Sequence, residues 1–144
     1  MDGKPDGGFA ALVPELGVFD LQASLRFWCD ILGFRVAYSR PESGFAYLQR
    51  GAAQVMLEQY NGNWETAPPE APLGRGINFQ ITVDDIAPMV AALKAIGWPL
   101  FEEPHEAWYR YGGTEGGHRQ FLVQDPSGYL LRFAEGIGER SVRS

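Results

Sequence analysis

The apolar positions of the first 60 residues predict one strand, one helix and three further strands. A short apolar run over residues 9–18, interrupted by Pro14, predicts the first strand. Asp20 stands where a helix N-cap belongs, and Gly33 stands where that helix would end. Between them, apolar residues recur as on one face of a helix: Leu21, Leu25, Trp28 and Leu32. Turn residues then separate three strand-like segments: 34–39, 45–50 and 53–59.

The same order returns in the second half of the chain. Residues 60–73 are polar and show no periodicity, so we interpret them as a linker. Residues 77–83 alternate as a strand, and Asp84 and Asp85 offer caps to a helix that Gly97 would end. The apolar face of this helix is Ile86, Met89, Val90, Leu93 and Ile96. Three further strands are predicted around 98–102 and over 118–124 and 129–135.

The two halves match element for element, which indicates a duplication. Leu25 corresponds to Met89 and Gly33 to Gly97, each 64 positions later. A period this long with two copies is typical of a repeated module rather than a solenoid. The sequence therefore predicts an α+β protein of two tandem βαβββ modules, whose curved mixed sheets form a concave cup. The predicted divisions are a flexible N-terminal segment 1–8, a first module 9–60, a linker 61–74, a second module 75–136 and a C-terminal tail 137–144.

Composition narrows the possible functions. The 144 residues carry 12 Lys and Arg against 18 Asp and Glu, a net charge of −6, which argues against a nucleic-acid partner. One cysteine, Cys29, excludes an intrachain disulfide, and one cysteine with two histidines is too small a ligand set for a zinc finger. No apolar run reaches the roughly 20 residues of a bilayer span, and residues 1–8 do not resemble a secretory signal. We therefore expect a cytoplasmic protein without a membrane partner.

Six short motifs, three in each half of the chain, carry a family resemblance. They are Leu-Gly-Val-Phe-Asp at 16–20, Ser-Leu-Arg-Phe-Trp at 24–28, Ile-Leu-Gly-Phe at 31–34, Ile-Thr-Val-Asp-Asp at 81–85, Ala-Ile-Gly at 95–97 and Asp-Pro-Ser-Gly-Tyr at 125–129. This arrangement resembles the vicinal oxygen chelate superfamily, which contains glyoxalase I, extradiol dioxygenases and bleomycin resistance proteins. The resemblance covers residues 9–135 and implies the fold more strongly than the chemistry.

The resemblance also implies where an enzyme of this superfamily would hold a divalent metal. Matching the motifs puts the four ligand positions at Val13, at Leu57 or Glu58, at Asn78 and at Arg132. A valine cannot ligate a metal, an asparagine is a weak oxygen ligand, and an arginine repels a cation. We therefore expect no metal and no other cofactor. The register of the fourth strand, and with it the choice between Leu57 and Glu58, stays open.

This departure from the metal pattern is similar to the bleomycin resistance proteins. The segments 47–51, 56–58 and 130–133 look like that branch, whose members are dimers that bind an antibiotic in aromatic-lined grooves at the subunit interface without catalysis. The resemblance implies a homodimer that sequesters a bleomycin-type glycopeptide. One alternative is a metal-dependent lyase, isomerase or dioxygenase that uses Glu58, His118 or another ligand. A second alternative is a binder of another small aromatic compound.

The candidate ligand-binding residues combine aromatic and charged side chains, and each also has a structural interpretation. Trp64 lies in the polar linker, where it could stack on a ligand or pack in the dimer. Trp108, Tyr109 and Arg110 lie beside a Gly-rich segment that reaches Gly117, as a binding loop or as an ordinary hairpin with alternating aromatics. Glu58 offers charge to a cationic ligand or belongs to a solvated face. The full candidate set is Tyr47, Glu58, Trp64, Asn78, Trp108, Tyr109, Arg110 and Arg132.

Overall fold

A computed structural model describes residues 2–142 and divides them into two compact units. The first unit comprises residues 2–75 together with the turn 125–129, and the second comprises residues 76–124 and the chain from 130 onward. Each unit contains a four-stranded mixed sheet and a helical segment, so the α+β class and the two βαβββ modules are confirmed. Within the described residues, neither helix is long and apolar enough to cross a bilayer.

The first unit follows the predicted order of elements. They are β1 (Glu15–Val18), α1 (Leu21–Leu25), a π-helical turn (Arg26–Ile31), β2 (Arg35–Arg40), a 3-10 turn (Pro41–Ser43), β3 (Phe45–Arg50) and β4 (Ala53–Gln59). The sheet order is β1-β4-β3-β2, with β1 parallel to β4 and the other pairs antiparallel. The predicted cap is confirmed because the Asp20 carboxylate accepts a hydrogen bond from the backbone N–H of Ala23 at 3.1 Å.

Two predictions for the first unit are wrong in their extent. The strand predicted over residues 9–18 begins only at Glu15, directly after Pro14, which has no N–H to donate to a ladder. The predicted helix changes after Leu25 into the π-helical turn, where the N–H of Leu32 donates to the carbonyl of Phe27, five residues earlier. This wider turn places Phe27 and Trp28 side by side in the core, both buried.

The second unit repeats this topology with longer strands. Its elements are β5 (Asn78–Thr82), α2 (Ala87–Ala95), β6 (Glu102–Tyr111), β7 (Thr114–Gln124) and β8 (Leu130–Ser141), in the sheet order β5-β8-β7-β6. The strand predicted around 98–102 is wrong, because β6 begins only at Glu102. The predicted helical face is also wrong at Ile96, which is 53% exposed because α2 ends at Ala95.

The Gly- and aromatic-rich segment before Gly117 is a hairpin rather than a loop. Strands β6 and β7 pair as far as Tyr111 and Thr114, so only Gly112 and Gly113 form the turn. Strand β8 pairs with β7 out to Ser141 and includes residues 137–141, which the sequence places in a C-terminal tail. Trp108, Tyr109 and Arg110 therefore lie on a hairpin strand rather than on a loop, and their role in ligand binding stays a prediction.

Strand register assigns the two faces of the first sheet. Leu48, Val55 and Leu57 share one face and are buried. The opposite face carries Tyr47 and Glu58. Between Leu57 and Glu58, the register therefore selects Glu58 as the residue on the face away from the buried core, since Leu57 is fully buried and Glu58 points to the other face.

Part of the N-terminal segment lies on the face that carries Tyr47. The backbone N–H of Asp6 donates to the side-chain oxygen of Gln49 at 2.8 Å, and that of Ala10 donates to Gln54 at 2.9 Å. The ring of Phe9 packs edge-on against Tyr47, with 5.6 Å between the ring centroids. Tyr47 is therefore a core residue, 2% exposed, whose hydroxyl donates to Gln54.

Candidate functional site

The first unit contains a cavity of about 510 Å³, which we call the acidic cavity. Strands β1 and β4 supply one side, and the segment 60–75 supplies much of the remainder. Among the residues that the structure describes, one cation, Arg75, lines this cavity together with four carboxylates and three aromatic rings. The carboxylates and rings are those of Glu15, Glu58, Glu65, Glu70, Tyr60, Trp64 and Tyr129. The Arg75 guanidinium donates to the backbone carbonyls of Ala71 and Pro72, at 2.9 and 3.3 Å, and so holds its own loop.

The turn 125–129 fixes one wall of the acidic cavity. The hydroxyl of Tyr129 donates to the carbonyl of Gly17 at 2.8 Å, and the N–H of Leu73 donates to the carbonyl of Ser127 at 3.0 Å. Burial raises the pKa of Tyr129 to about 12, so the phenol keeps its proton and remains a donor. The wall that Tyr129 builds is therefore neutral, and the negative charge comes from the glutamates.

Glu15 and Glu58 form a carboxyl pair at the β1–β4 side of the acidic cavity. Glu58 lies opposite Gly17 in the parallel β1–β4 ladder, so Glu15 and Glu58 share one face of the sheet. Burial, followed by the hydrogen bond and the charge of Glu58, raises the pKa of Glu15, while the Arg40 guanidinium acts in the opposite direction. Glu58 also accepts a hydrogen bond from the Asn61 side chain. The pair concentrates negative charge at this side of the acidic cavity.

We expect Glu15→Gln to raise the melting temperature relative to the wild type at pH 7. The pKa of Glu15 is higher in the folded chain than in the unfolded chain, so its favourable contribution exists at low pH and is lost as the pH rises through the folded value. The advantage of the variant should therefore shrink as the pH is lowered from 7 towards about 4, because Glu15 takes up its proton. Thermal unfolding followed by circular dichroism between these pH values measures the difference. A pH-independent difference would contradict the pairing.

Trp64 lies at the rim of the acidic cavity in a strained conformation. Its φ is +57°, in the left-handed region that a side chain with a Cβ rarely adopts, and its side chain is 86% exposed. An Asx turn leads into it, since the N–H of Asn63 donates to the side chain of Asn61 at 2.8 Å. A strained backbone that presents an uncovered indole beside a cavity is typical of a binding position.

The other candidate ligand-binding residues lie in the second unit, on two faces of its sheet. Asn78, Tyr109 and Arg132 share one face, where Tyr109 packs against the His118 ring at a centroid distance of 5.5 Å. Trp108 points to the other face, where Arg140 stacks on its ring at 4.0 Å. Next along β6, the exposed side chain of Arg110 donates to the carbonyl of Gly112 at 3.1 Å.

The structure thus assigns three of the eight candidates to the first unit and five to the second. Of the set, Glu58 and Trp64 line the acidic cavity, and Tyr47 lies in the core of the same unit. Sequence reasoning missed Glu15, Tyr60, Glu70 and Tyr129 as cavity residues. The sequence feature that could have identified Tyr129 is its position directly after the Asp-Pro-Ser-Gly turn. When such a turn packs against another element, the aromatic ring that follows the turn is positioned against that element as well. Glu15 can be identified as a cavity residue only when the pairing register between β1 and β4 is known.

The residues at the four expected metal positions do not fit a divalent metal. Val13 packs against the Phe45–Tyr47 cluster, and Arg132 places a guanidinium where a ligand would be needed. Glu58 supplies the one carboxylate of the four, beside the weak amide of Asn78. Residues 2–142 contain no group of three or more His, Cys, Asp or Glu side chains arranged to hold a metal.

Comparison with known proteins agrees with this fold. The family model described as glyoxalase/bleomycin resistance protein/dioxygenase superfamily matches residues 10–133. A bleomycin resistance protein of Geobacillus stearothermophilus is 26% identical over 136 residues, 87% of this chain and 96% of the relative. A lactoylglutathione lyase of Haemophilus influenzae is 28% identical over 135 residues, 88% of this chain and 92% of the relative.

A solved structure supports the fold independently. The bleomycin resistance determinant encoded on the transposon Tn5 matches 90% of this chain and all of its own, with a TM-score of 0.60 and 22% identity. The family model, which matches residues 10–133, includes both βαβββ modules from β1 into β8 and covers more than half of the chain. The chain therefore belongs to the glyoxalase/bleomycin resistance protein/dioxygenase superfamily.

Proposed function

We propose that the protein binds and sequesters a basic bleomycin-type glycopeptide, with the acidic cavity as the binding site. The observation that carries the proposal is the lining of this cavity, four glutamates and three aromatic rings against one arginine. Similarity to bleomycin resistance proteins over most of the chain supports the class of ligand. Sequestration needs affinity alone, so the proposal requires no catalytic group.

The charge and shape of the acidic cavity suit such a ligand. Glu15 and Glu58 offer negative charge at one side, where a ligand amine would relieve the repulsion between the two carboxylates. The exposed indole of Trp64 offers a flat surface to a heteroaromatic ring. The net charge of −6 attracts a cation over roughly one Debye length of ~8 Å at physiological salt.

Catalysis of the kind named for the Haemophilus relative is not part of the proposal. That chemistry would need a metal at the four expected positions, and Val13 and Arg132 do not provide its ligands.

We further propose that the protein acts as a homodimer in the cytoplasm, in which a second copy covers the exposed rim at Trp64 and completes a groove. Sedimentation equilibrium tests this assembly on the same samples.

Titration with bleomycin tests the proposed function. We expect saturable binding that alters the tryptophan fluorescence and releases measurable heat, and that weakens as salt is added. Glu58→Gln should weaken binding about tenfold, or about 1.4 kcal/mol, because it removes the charge and keeps the shape of the side chain. The matched control is Glu42→Gln, which removes an exposed carboxylate of the same unit outside the acidic cavity.

Two results would overturn the assignment. Absence of saturable binding by the wild type removes bleomycin as the ligand. Equal weakening by Glu42→Gln and Glu58→Gln would mean that the drug responds to the net charge of the protein rather than to the acidic cavity. Trp64→Ala separates these cases further, because it should weaken binding without any change in charge.

A further inference from the structure

Asn61 differs from the other asparagines of the chain in the residue that follows it. The sequence contains three asparagines, and glycine follows Asn61, whereas tryptophan follows Asn63 and phenylalanine follows Asn78. The backbone nitrogen of the next residue can attack the side-chain carbonyl of an asparagine, and a glycine in that position has no Cβ to obstruct the approach. Asn61 is exposed and lines the acidic cavity, so water reaches the place where this attack would occur.

The hydrogen bonds of Asn61 prepare its side-chain amide for this attack. Its oxygen Oδ1 accepts from the backbone N–H of Asn63 at 2.8 Å, and a donor in that position stabilises the negative charge that develops on a carbonyl oxygen under attack. Its nitrogen Nδ2 donates to the Glu58 carboxylate. Both ends of the amide are therefore held in place, and the oxygen that must take up charge already has its donor.

The attacking nitrogen, that of Gly62, is also available. Among residues 2–142, the backbone N–H of Gly62 makes no hydrogen bond. The φ of Gly62 is +87°, and a Cβ at this position would meet only the Glu65 carboxylate, at 3.7 Å. No backbone packs against this step of the chain, so its nitrogen can approach the neighbouring side chain without displacing other segments.

We propose that Asn61 deamidates in the folded protein and adds a fifth carboxylate to the lining of the acidic cavity. The Gly62 nitrogen loses its proton and bonds to Cγ of Asn61, the Cγ–Nδ2 bond breaks, and Nδ2 leaves as ammonia with that proton. Water then opens the resulting succinimide. Cleavage at Cγ gives aspartate, and cleavage at the backbone carbonyl gives isoaspartate. In both cases one amide and one water become one carboxylate and one ammonium ion, without an oxidant or a cofactor.

The new carboxylate changes both the charge and the shape of the acidic cavity. It replaces the amide that donates to Glu58, so a hydrogen bond becomes a contact between like charges. An aspartate oxygen can still accept from the N–H of Asn63 and keep the turn that precedes Trp64. Isoaspartate carries the main chain through the former side chain and loses this turn. The modification does not depend on the proposed function, and only its effect on drug affinity rests on it.

Mass spectrometry of the full chain, aged in mildly alkaline buffer, tests this site. The tryptic peptide 51–75 contains both Asn61 and Asn63, so its fragments compare the two residues within one molecule. We expect Asn61 to react at least about tenfold faster than Asn63, at a rate within about threefold of that in the same peptide aged free in solution. Equal rates at Asn61 and Asn63, or reaction of Asn61 in the free peptide alone, would overturn the proposal.

Two variants separate the modification from its effect on binding. Asn61→Asp reproduces the aspartate product, so it should focus at the same acidic position as the aged wild type and bind bleomycin about threefold more tightly. Asn61→Gln keeps a side-chain amide that closes the corresponding larger ring far more slowly, so its focusing pattern should not change on ageing. Acidification of Asn61→Gln at the wild-type rate would overturn the assignment to Asn61. If neither wild type nor Asn61→Asp binds bleomycin, the proposed function fails, and the mass spectra still decide the modification.

Discussion

Replacement of Asp125 by alanine should lower the free energy of unfolding by about 3–5 kcal/mol, since it leaves several buried donors without an acceptor. The Asp125 side chain is 3% exposed and accepts from the indole N–H of Trp28 at 3.1 Å. It also accepts from the backbone N–H groups of Ser127 and Tyr129, at 3.0 and 2.9 Å. Denaturation by urea, followed by circular dichroism, measures the loss.

Two further variants show whether this effect belongs to the buried network. Asp20→Ala removes an N-cap carboxylate that accepts one backbone hydrogen bond, so it should cost about 1 kcal/mol. Trp28→Phe removes the indole donor, and its cost should be smaller in the Asp125→Ala background than in the wild type because the hydrogen bond is already absent. Equal costs for the substitutions at Asp20 and Asp125 would contradict the network.

The elements that sequence predicts best are those whose ends are set by local chemistry. Strands β3 and β4 have the predicted bounds, because Gly44 takes a left-handed conformation and Gly51 a positive φ at their ends. Gly33 ends the first helical segment in the same way. These residues act on their immediate neighbours, so a single sequence is enough to identify them.

The hairpin β6–β7 shows why other elements were mispredicted. Glycines beside aromatic residues indicate a loop when only local propensity is considered. Here Gly117 lies in a strand and leaves room for a ring, since a Cβ at that position would approach the Trp108 side chain to 2.7 Å. Whether a glycine is needed to make room for a side chain of the neighbouring strand depends on the strand register, which cannot be read from one sequence. In this hairpin, strand pairing overrides the local preference of glycine for loops.

The acidic cavity depends on the same kind of long-range information. Side chains alternate along β4, so Leu57 and Glu58 lie on opposite faces of the sheet. The pairing of β4 with β1 determines which of these faces lines the cavity. Tyr129 reaches Gly17 across 112 positions of sequence, through a turn that packs on the first unit. Motifs therefore identified the family and the fold, while the lining of the cavity followed from contacts between distant segments.

Gly128 joins that turn to the wall of the acidic cavity. Its φ is +102°, and a Cβ at this position would lie 2.5 Å from Cβ of Pro72 and 2.7 Å from its backbone Cα. Pro72 and Leu73 line the cavity, and the N–H of Leu73 donates to the carbonyl of Ser127. Any side chain at position 128 must therefore displace the backbone of the cavity wall.

Gly128→Ala should lower the free energy of unfolding by roughly 3 kcal/mol, as the sum of backbone strain and overpacking. It should also weaken bleomycin binding more than Glu58→Gln does, because the wall at Pro72 moves as a whole. Gly138→Ala is the matched control: its φ is +128°, and a Cβ there meets nothing within 4 Å. The control carries backbone strain alone and should cost about 1 kcal/mol. Urea denaturation and bleomycin titration of both variants separate the contributions, and equal losses would show that the contact with Pro72 does not shape the cavity.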